Sequence, residues 1–151
     1  MMNKKIILML GIILNCATAL PALSDCTISA TGVAFGNYDV FSSSPVDMDG
    51  SVTYNCTSAT PITIDLSQGT NGSYINRKLK KDASNELNYN LYLDAGRTQI
   101  WGDLSGSTTH HTNPTPTTGI DITIPIFGRI PALQNASVGS YTDSITATIN
   151  F

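Results

Sequence analysis

Ser144-Ile145-Thr146-Ala147-Thr148-Ile149-Asn150-Phe151 is the stretch that decides the fold. Its apolar residues Ile145, Ala147, Ile149 and Phe151 stand at every second position, against Ser144, Thr146, Thr148 and Asn150. Successive side chains of a strand point to opposite faces, so this pattern reads as a strand with one face in a core and one in water. The same period recurs upstream. Val52, Tyr54 and Cys56 share a face, as do Ile62, Ile64 and Leu66, then Leu87, Tyr89, Leu91 and Leu93, then Ile120, Ile122, Ile124 and Ile126. Pro125 lies inside the fourth run, and without an N–H to donate it predicts an edge or a bulge there. No comparable 3.6-residue stripe follows residue 24, and turn residues separate the runs at Ser43-Ser44-Pro45, Asp49-Gly50, Gln68-Gly69, Asn71-Gly72, Ala95-Gly96 and Gly139-Ser140. Short strands punctuated in this way predict an antiparallel β-sandwich. Ser105 to Gly119, rich in Ser, Thr and Pro, is expected to be a mobile surface loop.

Composition agrees with that class. Only 13% of the 151 residues are charged, while Thr (19) and Ser (15) supply most of the polarity, as half-buried strands and their turns prefer. Eleven acidic residues against eight basic ones, with a pI near 5.0, argue against binding nucleic acid through its phosphates. Lys4 and Lys5, the apolar run Ile6 to Leu14, and Ala22-Leu23-Ser24 have the form of a secretory signal peptide, expected over residues 1–24. The apolar run is well short of the ~20 residues that span a bilayer. Cleavage after Ser24 leaves residues 25–151 as one domain and moves the formal net charge from −3 to −5, because two lysines leave with the signal.

Cys16 leaves with it too. Cys26 and Cys56 then form a pair in an oxidising compartment, where a disulfide is the expected state; a metal or redox pair would want a CxxC spacing that is absent. A bridge across that interval would contribute about 3–4 kcal/mol in the chain-entropy picture.

Catalytic signatures are missing: the chain has no GxSxG, HExxH, P-loop or GxGxxG. No catalytic residue, metal ligand set or cofactor is nominated. Asp47 and Asp49 before Gly50 lack the rest of a calcium loop and read as a capped turn. Arg77, Lys78, Lys80 and Lys81 read as a solvated strand edge guarded by charge. The adjacent His110 and His111 read as solvated loop residues. Trp101, the sole tryptophan, reads as a packing residue. The alternative groups Trp101, His110 and His111 into a surface-binding loop of a stand-alone secreted sandwich that binds carbohydrate.

Phe151 ends the sequence inside an unbroken alternation. An immunoglobulin-like sandwich normally has one more strand after such a run, and an open edge exposes both a groove and unpaired backbone groups. A strand from another chain could fill it by β-strand addition.

Several stretches, taken in order, resemble the spore coat protein U domain family, whose members include pilins of archaic chaperone-usher pili. They are Cys26-Thr27-Ile28, Phe35-Gly36-Asn37-Tyr38-Asp39, Val52-Thr53-Tyr54-Asn55-Cys56, Leu66-Ser67-Gln68-Gly69, Leu87 to Tyr92, Trp101-Gly102-Asp103, Ile126 to Ile130 and Gly139-Ser140-Tyr141-Thr142-Asp143. The resemblance covers residues 25–151. It implies an all-β fold, an incomplete immunoglobulin-like antiparallel sandwich lacking its final strand and completed by donor-strand complementation. It also implies a non-enzymatic structural subunit of a surface pilus or coat, exported through the periplasm. The implied partners are a periplasmic chaperone, an outer-membrane usher and a neighbouring subunit that donates a strand, with Ile145, Ala147, Ile149 and Phe151 bordering the acceptor groove. Polymer-forming members carry an alternating segment before the first cysteine. Only Asp25 precedes Cys26 after cleavage at Ser24, or six residues after cleavage at Ala19, which predicts a terminal, tip-like or adhesive position, or a coat-type branch that does not polymerise.

Overall fold

The computed structural model describes residues 25–151; the signal-peptide expectation falls outside the described residues. Eight strands follow one another: β1 (Cys26–Thr31), β2 (Val46–Cys56), β3 (Ile62–Leu66), β4 (Arg77–Lys80), β5 (Glu86–Tyr92), β6 (His111–Asn113), β7 (Ile122–Ile130) and β8 (Ala147–Asn150). Among the described residues they form two antiparallel sheets, ordered β1-β2-β7-β5-β4 and β6-β3-β8. A single 3-10 turn at Ser105–Ser107 is the only helical element among them.

The alternations of the sequence become the inner faces of these sheets. Val52, Tyr54 and Cys56 of β2 meet Ile62, Ile64 and Leu66 of β3, and Tyr89, Leu91, Ile126 and Ile130 complete the core with Trp101. Outward positions carry polar cross-strand pairs: Thr53 with Thr123, Asn55 with Asp121, and Asp47 with Arg129 in a two-pronged bond of 2.7 Å each. At Gly128 a β-carbon would come within 2.8 Å of both Val33 and Phe35, so this glycine leaves room for the β1–β2 connection to pack on β7.

Pro125 pairs with Ser51 of β2, while the ladder to β5 reaches only to Phe127. β7 therefore has a partner on one side only at the proline, which satisfies the expected edge. Cys26 and Cys56 are directly opposite in the β1–β2 ladder and are disulfide-bonded.

Three expectations are corrected. Asp47-Met48-Asp49-Gly50 is not a turn but the first half of β2, with Asp47 held by Arg129 and Arg97. Ser105 to Gly119 is not a free loop: it contains β6, paired with β3, and rungs at Thr109 and Thr118 tie it to Trp101 and Cys56. Arg77 opens an edge strand yet is 0% exposed. Its guanidinium donates to the carbonyls of Ser67 and Trp101 and to Asn90 Oδ1, at 2.7–3.2 Å. Burial pushes its pKa down from the ordinary arginine value. The remaining charges of the cluster behave as expected of a charged edge: Lys78 and Lys80 both pair with Glu86.

Candidate functional site: a seam between two sheet edges

β1 ends one sheet and β8 ends the other, and neither has a second strand partner among the described residues. The two edges lie against each other across the same side of the sandwich. At one end of this seam Cys26, Ile28 and Ile149 pack on the core. Toward the other end the edges part, leaving a cleft of about 330 Å³ between Ala30 to Val33 on one lip and Ile145 and Ala147 on the other. Its floor includes Leu66, Tyr89, Leu91 and Ile126, which belong to the core itself. A surface opening floored by core side chains, and flanked by strand edges with free backbone groups, is suited to an extended chain with apolar side chains at alternate positions.

Local chemistry fixes the lip that carries β8. Asp143 Oδ1 accepts from the Thr70 N–H, the Thr70 hydroxyl, the Asn71 amide and the Ser144 N–H at 2.7–3.2 Å. Asp143 Oδ2 accepts from the Tyr89 hydroxyl at 2.7 Å. Burial first, and this carboxylate second, raise the Tyr89 pKa, so the phenol stays protonated and donates. Gly69, at φ +87, presses on Asp143 so closely that a β-carbon would collide with the carboxylate. Thr142 forms a two-way backbone rung with Lys80 on the outer edge of β4. Residues 142–144 thus bind the free edge of one sheet before delivering the chain to the other.

The sequence-nominated residues separate into two groups. Ile145, Ala147 and Ile149 all turn toward the core, Ile145 and Ala147 lining the cleft and Ile149 lying beyond it. Phe151 follows the last rung, Asn150 with Thr63, and is 51% exposed. Trp101, His110 and His111 do not make a binding loop. Trp101 is 0% exposed and donates its indole N–H to the Ile64 carbonyl at 2.8 Å, so its ring is unavailable for stacking on a sugar. His111 lies between Tyr54 and Trp101, with ring centroids 6.3 and 6.5 Å away, and its Nε2 is buried without a hydrogen-bond partner. Burial and the neighbouring His110 lower its pKa. His110 Nδ1 is 2.7 Å from Asp65 Oδ1, and Asp65 Oδ2 accepts from the Asn150 amide on β8. Sequence reasoning did not assign Ala30, Val33 or Asp143 to the groove. The quoted motif stretches containing Phe35 and Asp143 were the available signal.

Two sheets in this order, with facing edges, define the class of the molecule as an antiparallel β-sandwich of immunoglobulin-like type. A family model, the Spore Coat Protein U domain, matches residues 14–148, and the chain belongs to that family. Protein U of Myxococcus xanthus is 33% identical over 129 residues, covering 78% of this chain and 70% of that protein. The fold also matches a chain in the crystal structure of the CsuC-CsuE chaperone-tip adhesion subunit pre-assembly complex from archaic chaperone-usher Csu pili of Acinetobacter baumannii. That match has a TM-score of 0.56 and 24% identity, and covers 85% of this chain but only 40% of the other.

Proposed function

We propose that this protein is a non-enzymatic structural subunit of a surface pilus or coat, and that its open seam is filled by a β-strand from another chain. The observation that carries the reading is the pair of unpaired edges, β1 and β8, parting over a cleft floored by the core. Family membership and the likeness to a pilus subunit chain support it. In this reading residues 1–24 direct export, a periplasmic chaperone lends the first strand, and an outer-membrane usher directs its replacement by a segment of a neighbouring subunit. Ile145, Ala147 and Ile149 form the β8 wall of the acceptor, and Phe151 turns inward only once a donor covers it. Each apolar donor side chain buried would gain roughly 1.5–3 kcal/mol, so four of them approach the net stability of a small domain.

A terminal position in the assembly belongs to the same proposal. It rests on the short interval between Ala22-Leu23-Ser24 and Cys26, which leaves no alternating segment to donate after cleavage. Sequencing the mature N-terminus and following the purified subunit for self-polymerisation test this part; homopolymers built from chains that begin at Cys26 or one residue before it overturn it.

The central claim is tested by export with and without a periplasmic chaperone of the chaperone-usher type. Co-purification as a one-to-one complex is expected, with aggregation or partial unfolding of the chain alone. A monodisperse, high-melting monomer without chaperone or peptide would sink the proposal.

A further inference from the structure

Beyond the open end of the seam lies a second, larger cleft, about 800 Å³, between residues 33–41 of the β1–β2 connection and residues 136–143 of the β7–β8 connection. The two clefts share Val33, Phe35, Leu79 and Asp143 as walls, so they lie side by side. At the rim of the larger one stand Phe41, 88% exposed, and Val138, 97% exposed. Together they offer apolar side chains on both walls of one depression, which an extended chain lying in it could cover.

The rim is held in place. Asp39 closes a turn by accepting from the Phe41 and Ser42 N–H groups, which fixes where Phe41 projects. The Tyr38 hydroxyl donates to the Pro131 carbonyl at 2.9 Å and accepts from the Gln134 N–H at 2.8 Å. On the opposite wall Lys81 Nζ donates to the Val138 carbonyl and to the Ser137 hydroxyl, while the Tyr141 hydroxyl donates to the Ser137 carbonyl. The polar groups that hold both walls are thus bonded within the chain, while Phe41 and Val138 project outward. A preorganised surface of this kind loses little freedom when it binds.

We propose that this second cleft is a docking site for the continuation of the donated chain, so that the recognised segment of the neighbouring subunit extends past the strand lodged between β1 and β8 and sets apolar side chains against Phe41 and Val138. The inference rests on the donor-strand reading above. Its occupant follows from continuity: the two edges part toward Ala30 and Ile145, where the seam's cleft shares walls with the larger one, so a chain lying in the seam and leaving at that end passes along the larger cleft.

Two synthetic peptides test it, both alternating Val with Thr between terminal lysines: a short one of about seven residues, enough to span the seam, and a long one of about fourteen. The mature chain is refolded with the fluorescent short peptide, which is then displaced by unlabelled short or long peptide. The long peptide is expected to bind at least about tenfold more tightly. F41S and V138S should remove that gain while leaving the short peptide's affinity unchanged; both side chains are exposed, so folding is not at stake. If the short peptide binds and lengthening adds nothing, or the gain survives both substitutions, the extended site is wrong while the donor-strand reading stands. If neither peptide binds, both fall. Concentration-dependent dimers abolished by F41S and V138S would overturn the proposal in favour of self-association through this face.

Discussion

Arg77 shows how far a single residue can depart from its neighbours in the sequence. Four consecutive-looking basic positions suggested a solvated edge, and for Lys78 and Lys80 that is what the structure contains. Arg77 instead turns inward, because the carbonyls of Ser67 and Trp101 and the amide oxygen of Asn90 converge on one buried point where a guanidinium can reach all three. Nothing in a local pattern announces such convergence, since the three acceptors come from three separate segments. Replacing it by Met is expected to destabilise by about 3 kcal/mol or more, because buried acceptors are left unpaired. Lys at this position should recover only part, lacking the planar fork. Urea denaturation of the peptide-bound chain measures both. His111 provides a second residue-scale prediction. Its folded pKa lies below the ordinary 6.5, so the unfolded chain binds the proton more readily. The contribution is therefore complete above about pH 7 and is lost as pH falls through 6.5 toward the depressed value. The melting temperature should drop over that interval, and H111Q should flatten this part of the profile while the acid limb below about pH 4 remains.

At the scale of elements, strands with three or more alternating apolar positions were readable in advance, because a face that must be buried fixes the register. β2, β3, β5, β7 and β8 are of this kind, although β2 begins earlier than its apolar half suggests. Its first residues, Val46 to Gly50, look like a turn in isolation and are straightened by five of the nine rungs that β2 shares with β7. β6 escaped for the opposite reason: His111-Thr112-Asn113 has no pattern of its own and is a strand only because β3 offers an edge. The groove was half visible. Ile145 and Ala147, read from the terminal alternation, line its β8 side, with Ile149 beyond it, whereas its other lip depends on where β1 stops, at Thr31, and on the path of the chain through Val33 and Phe35. The disulfide belongs to this scale, since it locks β1 to β2. The C26A/C56A double variant is expected to lose about 3–4 kcal/mol. The loss should appear in the peptide-bound form by chemical denaturation, and chaperone binding by the variant should fall in parallel.

The whole molecule places most of its apolar alternations in one shared core yet leaves part of that core visible from outside, through the cleft floored by Leu66, Leu91 and Ile126. Without a donor the chain is expected to bind an environment-sensitive apolar dye such as ANS and to unfold over a broad transition. Addition of a strand-forming peptide should extinguish the dye signal and sharpen the melt. Unchanged dye binding in the presence of a peptide known to bind would show that the exposed apolar surface lies elsewhere.

The lengthwise run of the seam also has a mechanical meaning. A strand lodged between β1 and β8 and pulled along the axis of a fibre would be loaded in shear, with every rung on both sides resisting together instead of parting one at a time. The force would enter β1 beside a covalent link to β2 and would enter β8 through residues 142–144, whose rung to Lys80 and carboxylate bonds from Asp143 spread it into both sheets. Such a joint would hold under tension longest where its two flanks are already tied to the body of the subunit, which is where this chain has placed its disulfide and its most heavily bonded aspartate.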